Sequence, residues 1–221
     1  MSTEYVDVDG SAIGYRTIGS GTPLVLLNRM RGTLDTWDPL FLGELAQAQR
    51  VVVVDYPGTG YSAGALPGDL GQVAQALLLQ HPEAVSHAVL VGTTPPGPGQ
   101  AEIQKVWLQR ALKPVNDLDD EIVLFFEPAS EASGRAAARS HERIYARPDV
   151  VSKIPARQEE FQAFLCGDND TSVPAANWYP LIGRIPRAQL IVLPESDHGP
   201  QHQYPKLSAR YVMAFLAEIP H

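Results

Sequence analysis

The stretch Val51–Ser62 reads VVVVDYPGTGYS. An unbroken β-branched run is the composition of a strand covered on both faces, because a strand with one wet face alternates apolar and polar positions. The run ends on Asp55, and Pro57, Gly58 and Gly60 then mark a loop. Gly60–Gly64 (GYSAG) also fits G-x-S-x-G, in which a strand, one sharp turn with a nucleophilic serine, and a helix follow one another directly. Ser62, however, comes seven residues after Asp55, and Ala-Gly-Ala-Leu-Pro-Gly follows it in place of a helix. Ser62 is therefore expected to be a structural loop residue. Its value is positional, since it fixes where the strand Arg50–Asp55 ends.

Working outward, Pro23–Asn28 (PLVLLN) is a second continuous apolar run, expected to be buried in a parallel sheet. Between the two runs, Asp38–Gln47 has helix character: Asp38 caps it, Pro39 suits its first turn, and Leu42 and Leu45 share a face. Strand, helix and strand in alternation predict an α/β architecture. Upstream, Tyr5–Val8 and Ala12–Ile18 flank Asp9-Gly10 and read as a hairpin. Downstream, Gly71–His81 reads as a helix stopped by Pro82, and Ser86–Gly92 as a third buried strand. After TTPPGPG, the block Ala101–Phe164 is mostly helical in pattern and richer in charge. CGDNDTSVP, a short helix near Ala175–Ile182, a strand Gln189–Leu193 and the loop PESDHGP come next. A last helix near Pro205–Leu216 spaces Leu207, Tyr211 and Phe215 as an apolar stripe. The expected division is a core of residues 1–96 plus 166–221 and a helical insertion at 97–165.

The bulk properties narrow the class of function. With 221 residues, 44% of them hydrophobic, one α/β domain accounts for the whole chain. A net charge of −8 with scattered lysines and arginines gives no basic face for a phosphate backbone, so no nucleic-acid partner is expected. The start, MSTEYVDVDG, has neither a basic nor an apolar leader region, and no apolar run approaches membrane-spanning length. A single cysteine, Cys166, excludes an internal disulfide. A cytoplasmic protein with no membrane association is expected. No His/Cys/Asp cluster has metal-ligand spacing, so neither metal nor cofactor is expected.

Taken in order, PLVLLNRMRGTLDTWDP (23–39), VVVVDYPGTGYS (51–62), AQALLLQHPEAVSHAVLVGTTPP (74–96), GDNDTSVP (167–174) and PESDHGP (194–200) resemble the α/β-hydrolase family over nearly the whole chain. The resemblance implies a mostly parallel sheet flanked by helices, with 97–165 as a helical cap. It also implies a nucleophile, an acid and a histidine in that chain order. His198, in a polar loop directly after an apolar run, matches the family's base, and imidazole can accept and return a proton near neutral pH. Asp170, the last residue of Gly167-Asp168-Asn169-Asp170, matches the acid that orients it. Asp168 is its competitor, and G-D-N-D is also ordinary turn chemistry. His202 is expected to be solvated, and His81 and His87 to have structural roles. Where the family usually has His-Gly, this chain has Asn28-Arg29, followed by Met30. By that alignment the Met30 N–H donates to the oxyanion and Asn28 braces the loop. Arg29 and Arg31 are expected to be solvated rather than to attract an acidic substrate.

Two pieces of the family pattern are absent. The helix before Pro82 resembles the one that follows the family's nucleophile, yet Leu-Pro-Gly-Asp-Leu precedes Gly71, with no strand and no nucleophile. Tyr56 to Val85 offers room for one crossover at roughly 30 residues per βαβ unit, where two are needed. Before CGDNDTSVP, ARQEEFQAFL has helix composition where a strand is required. The sheet is thus expected to lack two strands, and the nucleophile is unknown. Internal stretches of the natural protein are absent from this sequence, or the chain is a shrunken non-catalytic relative, or it is a compact hydrolase with a relocated nucleophile. The first is favoured, because losing a central strand exposes apolar faces while every flanking motif here is intact. The expected activity is hydrolysis of an ester-like bond of a small molecule. The rival is a non-catalytic binding protein on the same scaffold, and self-association is left open.

Overall fold

A computed structural model describes residues 1–29, 32–65, 73–91, 110, 113, 117–125, 131–145, 174–182 and 188–218. The chain opens with the expected hairpin, β1 (Glu4–Val8) and β2 (Ser11–Ile18), paired antiparallel with Val8 opposite Ser11. β3 (Thr22–Leu27) leads through α1 (Pro39–Leu45) to β4 (Gln49–Val54). β4 is central: it runs antiparallel to β2 and parallel to β3, in the order β1-β2-β4-β3. Gly19 makes the β2–β3 turn workable. Its φ is +75°, and an added Cβ would run into the carbonyl oxygens of Gln49 and Ala46.

Helix α1 begins as its sequence dictates. Asp38 is extended, its carboxylate accepts from the Leu40 N–H at 2.9 Å, and Pro39 occupies the first turn. Its inner face carries Phe41, Leu42 and Leu45 into a core with Leu34 of the loop after β3, Val51 and Val53 of the sheet and Ala209 of the last helix, α7 (Pro205–Glu218). Val51, Val53 and Leu45 are fully buried, each contributing about 1.5–3 kcal/mol by leaving water. Trp37 extends this core by stacking on Phe41, their centroids 6.1 Å apart.

Between β4 and α7 lie α2 (Val73–Gln80), α3 (Leu118–Phe125), α4 (Glu131–Tyr145), α5 (Tyr179–Ile182) and α6 (Pro200–Gln203). Asp117 and Asp120 cap α3 reciprocally: the Asp120 N–H donates to Asp117 at 2.9 Å and the Asp117 N–H to Asp120 at 3.1 Å. Lys113 and Arg110 donate to the same Asp120 carboxylate at 2.6 and 2.8 Å. Burial would raise the Asp120 carboxyl, but the Lys113 ammonium, the Asp117 N–H and the Arg110 guanidinium outweigh it and hold it below 3.8. Helices α3 and α4 both lie against α6. A buried hydrogen bond of 2.9 Å from the Ser140 hydroxyl of α4 to the other carboxylate oxygen of Asp38 ties this helical block to the start of α1.

Four expectations need correction. Ser86–Gly92 is not a strand over its described residues, and Val89, Leu90 and Val91 are 37–38% exposed. Gln189–Leu193 makes only a single bridge, at Leu193, with Ile191 exposed. β3 forms, but Val25 is 54% exposed instead of buried. All three share one physical cause: among the described residues no strand pairs with the outer side of β3. A β-branched run needs a hydrogen-bonded neighbour before it becomes a strand. The fourth concerns α7, where Leu207 and Tyr211 of the expected stripe are exposed and Phe215 is half-buried edge-on against His87, while Ala209, Val212 and Met213 face the core. The α1 contact sets which face turns inward.

Candidate active site

In a parallel α/β unit the loops at the carboxyl ends of the strands gather at one edge. Here those loops follow β3 and β4, and Asp55 joins them. Its carboxylate is fully buried, accepting from the Leu34 N–H at 2.8 Å and the Asn28 amide at 3.2 Å on one oxygen. The other oxygen accepts from the Tyr61 N–H at 2.8 Å. Gly60, at φ +52°, leaves the space into which this carboxylate packs, since an added Cβ would overlap its oxygen. Burial pushes the Asp55 carboxyl up, against the pull of the Tyr61, Leu34 and Asn28 donors, and the nearby Asp35 charge adds to the rise.

Asn28 stands where β3 ends, and its side chain is committed inside the protein. Its amide nitrogen also donates to the Val54 carbonyl at 2.8 Å, and its oxygen accepts from the Trp37 indole N–H at 2.7 Å. Its own carbonyl accepts from the Tyr56 hydroxyl at 3.0 Å, and burial raises the Tyr56 phenol. Beyond it, the Gly32 N–H donates to the Arg29 carbonyl at 2.8 Å and closes a turn. Thr33 and Thr36 bracket the next turn, with Thr36 donating its hydroxyl to the Thr33 carbonyl and accepting from the Thr33 N–H, both at 2.9 Å. Met30 itself, expected to supply an oxyanion donor, lies outside the described residues, as does Arg31.

Ser62 is held as a loop clip. Its hydroxyl accepts from the Gly14 N–H of β2 at 2.8 Å and donates to the Asp55 carbonyl at 2.9 Å. Both hydrogen-bonding functions of the oxygen are therefore used to seat the loop on the sheet. Ser62→Ala is expected to leave any activity nearly unchanged. It should cost about 1–3 kcal/mol because the Gly14 N–H loses its acceptor. Thermal unfolding and ester turnover check this together, and a large loss of turnover at unchanged stability would place the nucleophile at Ser62.

His198 is 5% exposed, in a loop that runs from the bridge residue Leu193 to α6. Ser196 and Asp197 are buried beside it in sequence, and Glu195 turns the chain with φ +51°. The Gln203 amide donates to the Glu195 carbonyl, and the Ser208 hydroxyl to the Pro200 carbonyl at 2.9 Å, fixing both ends of the loop. His202, expected to be solvated, is 4% exposed. It sits on the four-residue helix α6, against which α3 and α4 pack, and that cover removes it from water. Asp170, its competitor Asp168 and the segment before Gly71 lie outside the described residues.

Sequence reasoning missed one buried group altogether. Arg16 of β2 is 6% exposed and pairs with Asp35 at 2.7 Å, while the Tyr61 hydroxyl donates to the other Asp35 oxygen at 2.8 Å. A buried guanidinium requires an acid, but no local pattern announces this one, because Asp35 lies 19 positions along the chain from Arg16. No group of three or more metal-ligating side chains occurs among the described residues. No described helix is long and apolar enough to cross a membrane.

No family profile matches the chain. A curated relative, the pimeloyl-[acyl-carrier protein] methyl ester esterase of Nitrosomonas europaea, is 26% identical over 89% of this chain and 96% of its own. That alignment spans 255 positions, 34 more than the 221 residues of the chain, so at least 34 positions of the relative face a gap here. Among solved structures, an alpha/beta hydrolase fold protein from Chitinophaga pinensis matches with a TM-score of 0.81 at 23% identity, over 98% of both chains. An esterase from Rhodococcus sp. matches with a TM-score of 0.68, also at 23% identity, over the full length of both.

Proposed function

We propose, taking as premise the α/β-hydrolase fold that this chain has, that the protein hydrolyses an ester-like bond of a small molecule. His198 acts as the base, Asp170 orients it, and the Met30 N–H is one donor to the oxyanion. Asn28 serves this site by bracing the loop that carries Met30, since its amide is spent on Val54, Asp55 and Trp37. No cofactor or metal is required. The helices of 97–165 act as a cap that sets substrate size, and the contacts of α3 and α4 with α6 support that placement.

The observation that carries the reading is a buried histidine in the short loop before α6, on a fold shared with two proteins named as esterases. The nucleophile belongs to the segment missing relative to the fold, and the alignment gap of at least 34 positions supports that assignment. One observation favours a second reading, a binding protein on the same scaffold: among the described residues no strand–turn–helix presents a nucleophile, and the Ser62 hydroxyl is committed. Hydrolysis of p-nitrophenyl acetate by the natural protein and by its His198→Ala variant separates the two. Equal rates would leave the binding reading.

A further inference from the structure

We propose that Arg16, Asp35 and Tyr61 are positioning residues that lock the loop after β3 onto the loop after β4. The proposal rests on the reading above that the first of these loops faces the reacting carbonyl. The contacts form a closed ring. The Leu34 N–H and the Tyr61 N–H both donate to Asp55 at 2.8 Å, one to each oxygen. Tyr61 returns to the first loop through its hydroxyl, which donates to Asp35 at 2.8 Å, and Asp35 is the covalent neighbour of Leu34. Two bonds between the same pair of loops, at different points and in different directions, fix orientation as well as distance. A single bond would leave a hinge.

Arg16 makes the ring tenable. It places two carboxylates, Asp35 and Asp55, in one buried region, where their charges oppose each other. The guanidinium lies 2.7 Å from Asp35 and 4.8 Å from the centre of the Tyr61 ring, so it neutralises one acid and packs on the residue that bridges both. Its remaining Nε–H donates to the Thr3 hydroxyl at 3.0 Å. A buried ion pair is often no more stabilising than an apolar replacement, and its best-attested return is a unique geometry. Here that geometry is the seat of residues 32–35 relative to the sheet.

The test is amide hydrogen exchange by NMR on the natural protein, compared with its Arg16→Met and Tyr61→Phe variants. Arg16→Met is expected to speed exchange of the Leu34 and Tyr61 amides by about tenfold or more, with the amides of Val51, Val53 and Met213 within about twofold of wild type. Tyr61→Phe keeps the ring and the backbone donor, removes only the hydroxyl and with it the bond to Asp35, and should speed the same two amides by a smaller factor. It carries the test alone if Arg16→Met fails to fold. Unchanged exchange at both amides would overturn the proposal. So would an equal acceleration at Val51, Val53 and Met213, which is the signature of general destabilisation. In the natural protein Tyr61→Phe should lower kcat for p-nitrophenyl acetate at unchanged KM. Absence of turnover in wild type would contradict the hydrolase reading while the exchange result still decides the positioning.

Discussion

His198→Ala is expected to slow p-nitrophenyl acetate hydrolysis by the natural protein about 10²–10⁴-fold, the usual contribution of a positioned general base. The variant should keep a cooperative unfolding transition. The loop is anchored by bonds that do not use the imidazole: Gln203 holds the Glu195 carbonyl and Ser208 holds the Pro200 carbonyl. The backbone of α6 is likewise self-supporting, with the His202 and Gln203 N–H groups donating to the Gly199 carbonyl at 2.9 and 3.0 Å. Those bonds remain when the ring is removed, so the loop backbone is expected to stay in place. The side-by-side reading of rate and unfolding curve matters, because a buried histidine that was only structural would lose stability and leave the rate per folded molecule unchanged.

Asp55→Ala should have the largest effect on stability. The substitution strips acceptors from three donors at once, the N–H groups of Leu34 and Tyr61 and the amide of Asn28. Each buried donor left without a partner costs about 1–3 kcal/mol, against a total stability of about 5–15 kcal/mol for a domain. A fall in unfolding temperature of about 10 °C or more follows, at about 2–4 °C per kcal/mol for a chain of this size. The pH dependence adds a sign. The Asp55 carboxyl is raised above 3.8 in the folded chain, so the folded state holds the proton more tightly than the unfolded one. For this group alone, wild-type stability rises as pH falls through the raised value towards 3.8, and the alanine variant lacks that gain. The penalty of Asp55→Ala is thus expected to be larger near pH 4 than at pH 7, as chemical denaturation at the two pH values would show.

What could be read from the sequence was local chemistry. Asp38 and Pro39 announce the start of α1 because a cap is decided within a few residues, and the structure shows the Asp38 carboxylate on the Leu40 N–H. Asp55 and Gly60 were legible as a loop signature, but not as the junction of two loops, since Leu34 and Asn28 arrive there from more than twenty residues away. Arg16 and Asp35 were invisible for the same reason, being brought together by the sheet and not by spacing. His202 was misjudged because a polar, four-residue helix looks solvent-facing until α3 and α4 are laid on it. The runs at Ser86–Gly92 and Gln189–Leu193 show the opposite limit. Their composition is that of strands, yet a strand is a property of a pair, and β3 offers an outer side with no partner among the described residues.

The side of β3 that has no partner among the described residues is the centre of the account, and it carries the proposal that the strand bearing a nucleophile is absent from this sequence. A mass-spectrometric peptide map of the natural protein across Leu70–Gly71 and Leu165–Cys166 tests it most directly. The expected result is additional residues at both junctions, together accounting for at least the 34 aligned positions that face a gap in this chain. A peptide in which Leu70 is bonded directly to Gly71, and another joining Leu165 to Cys166, would contradict it.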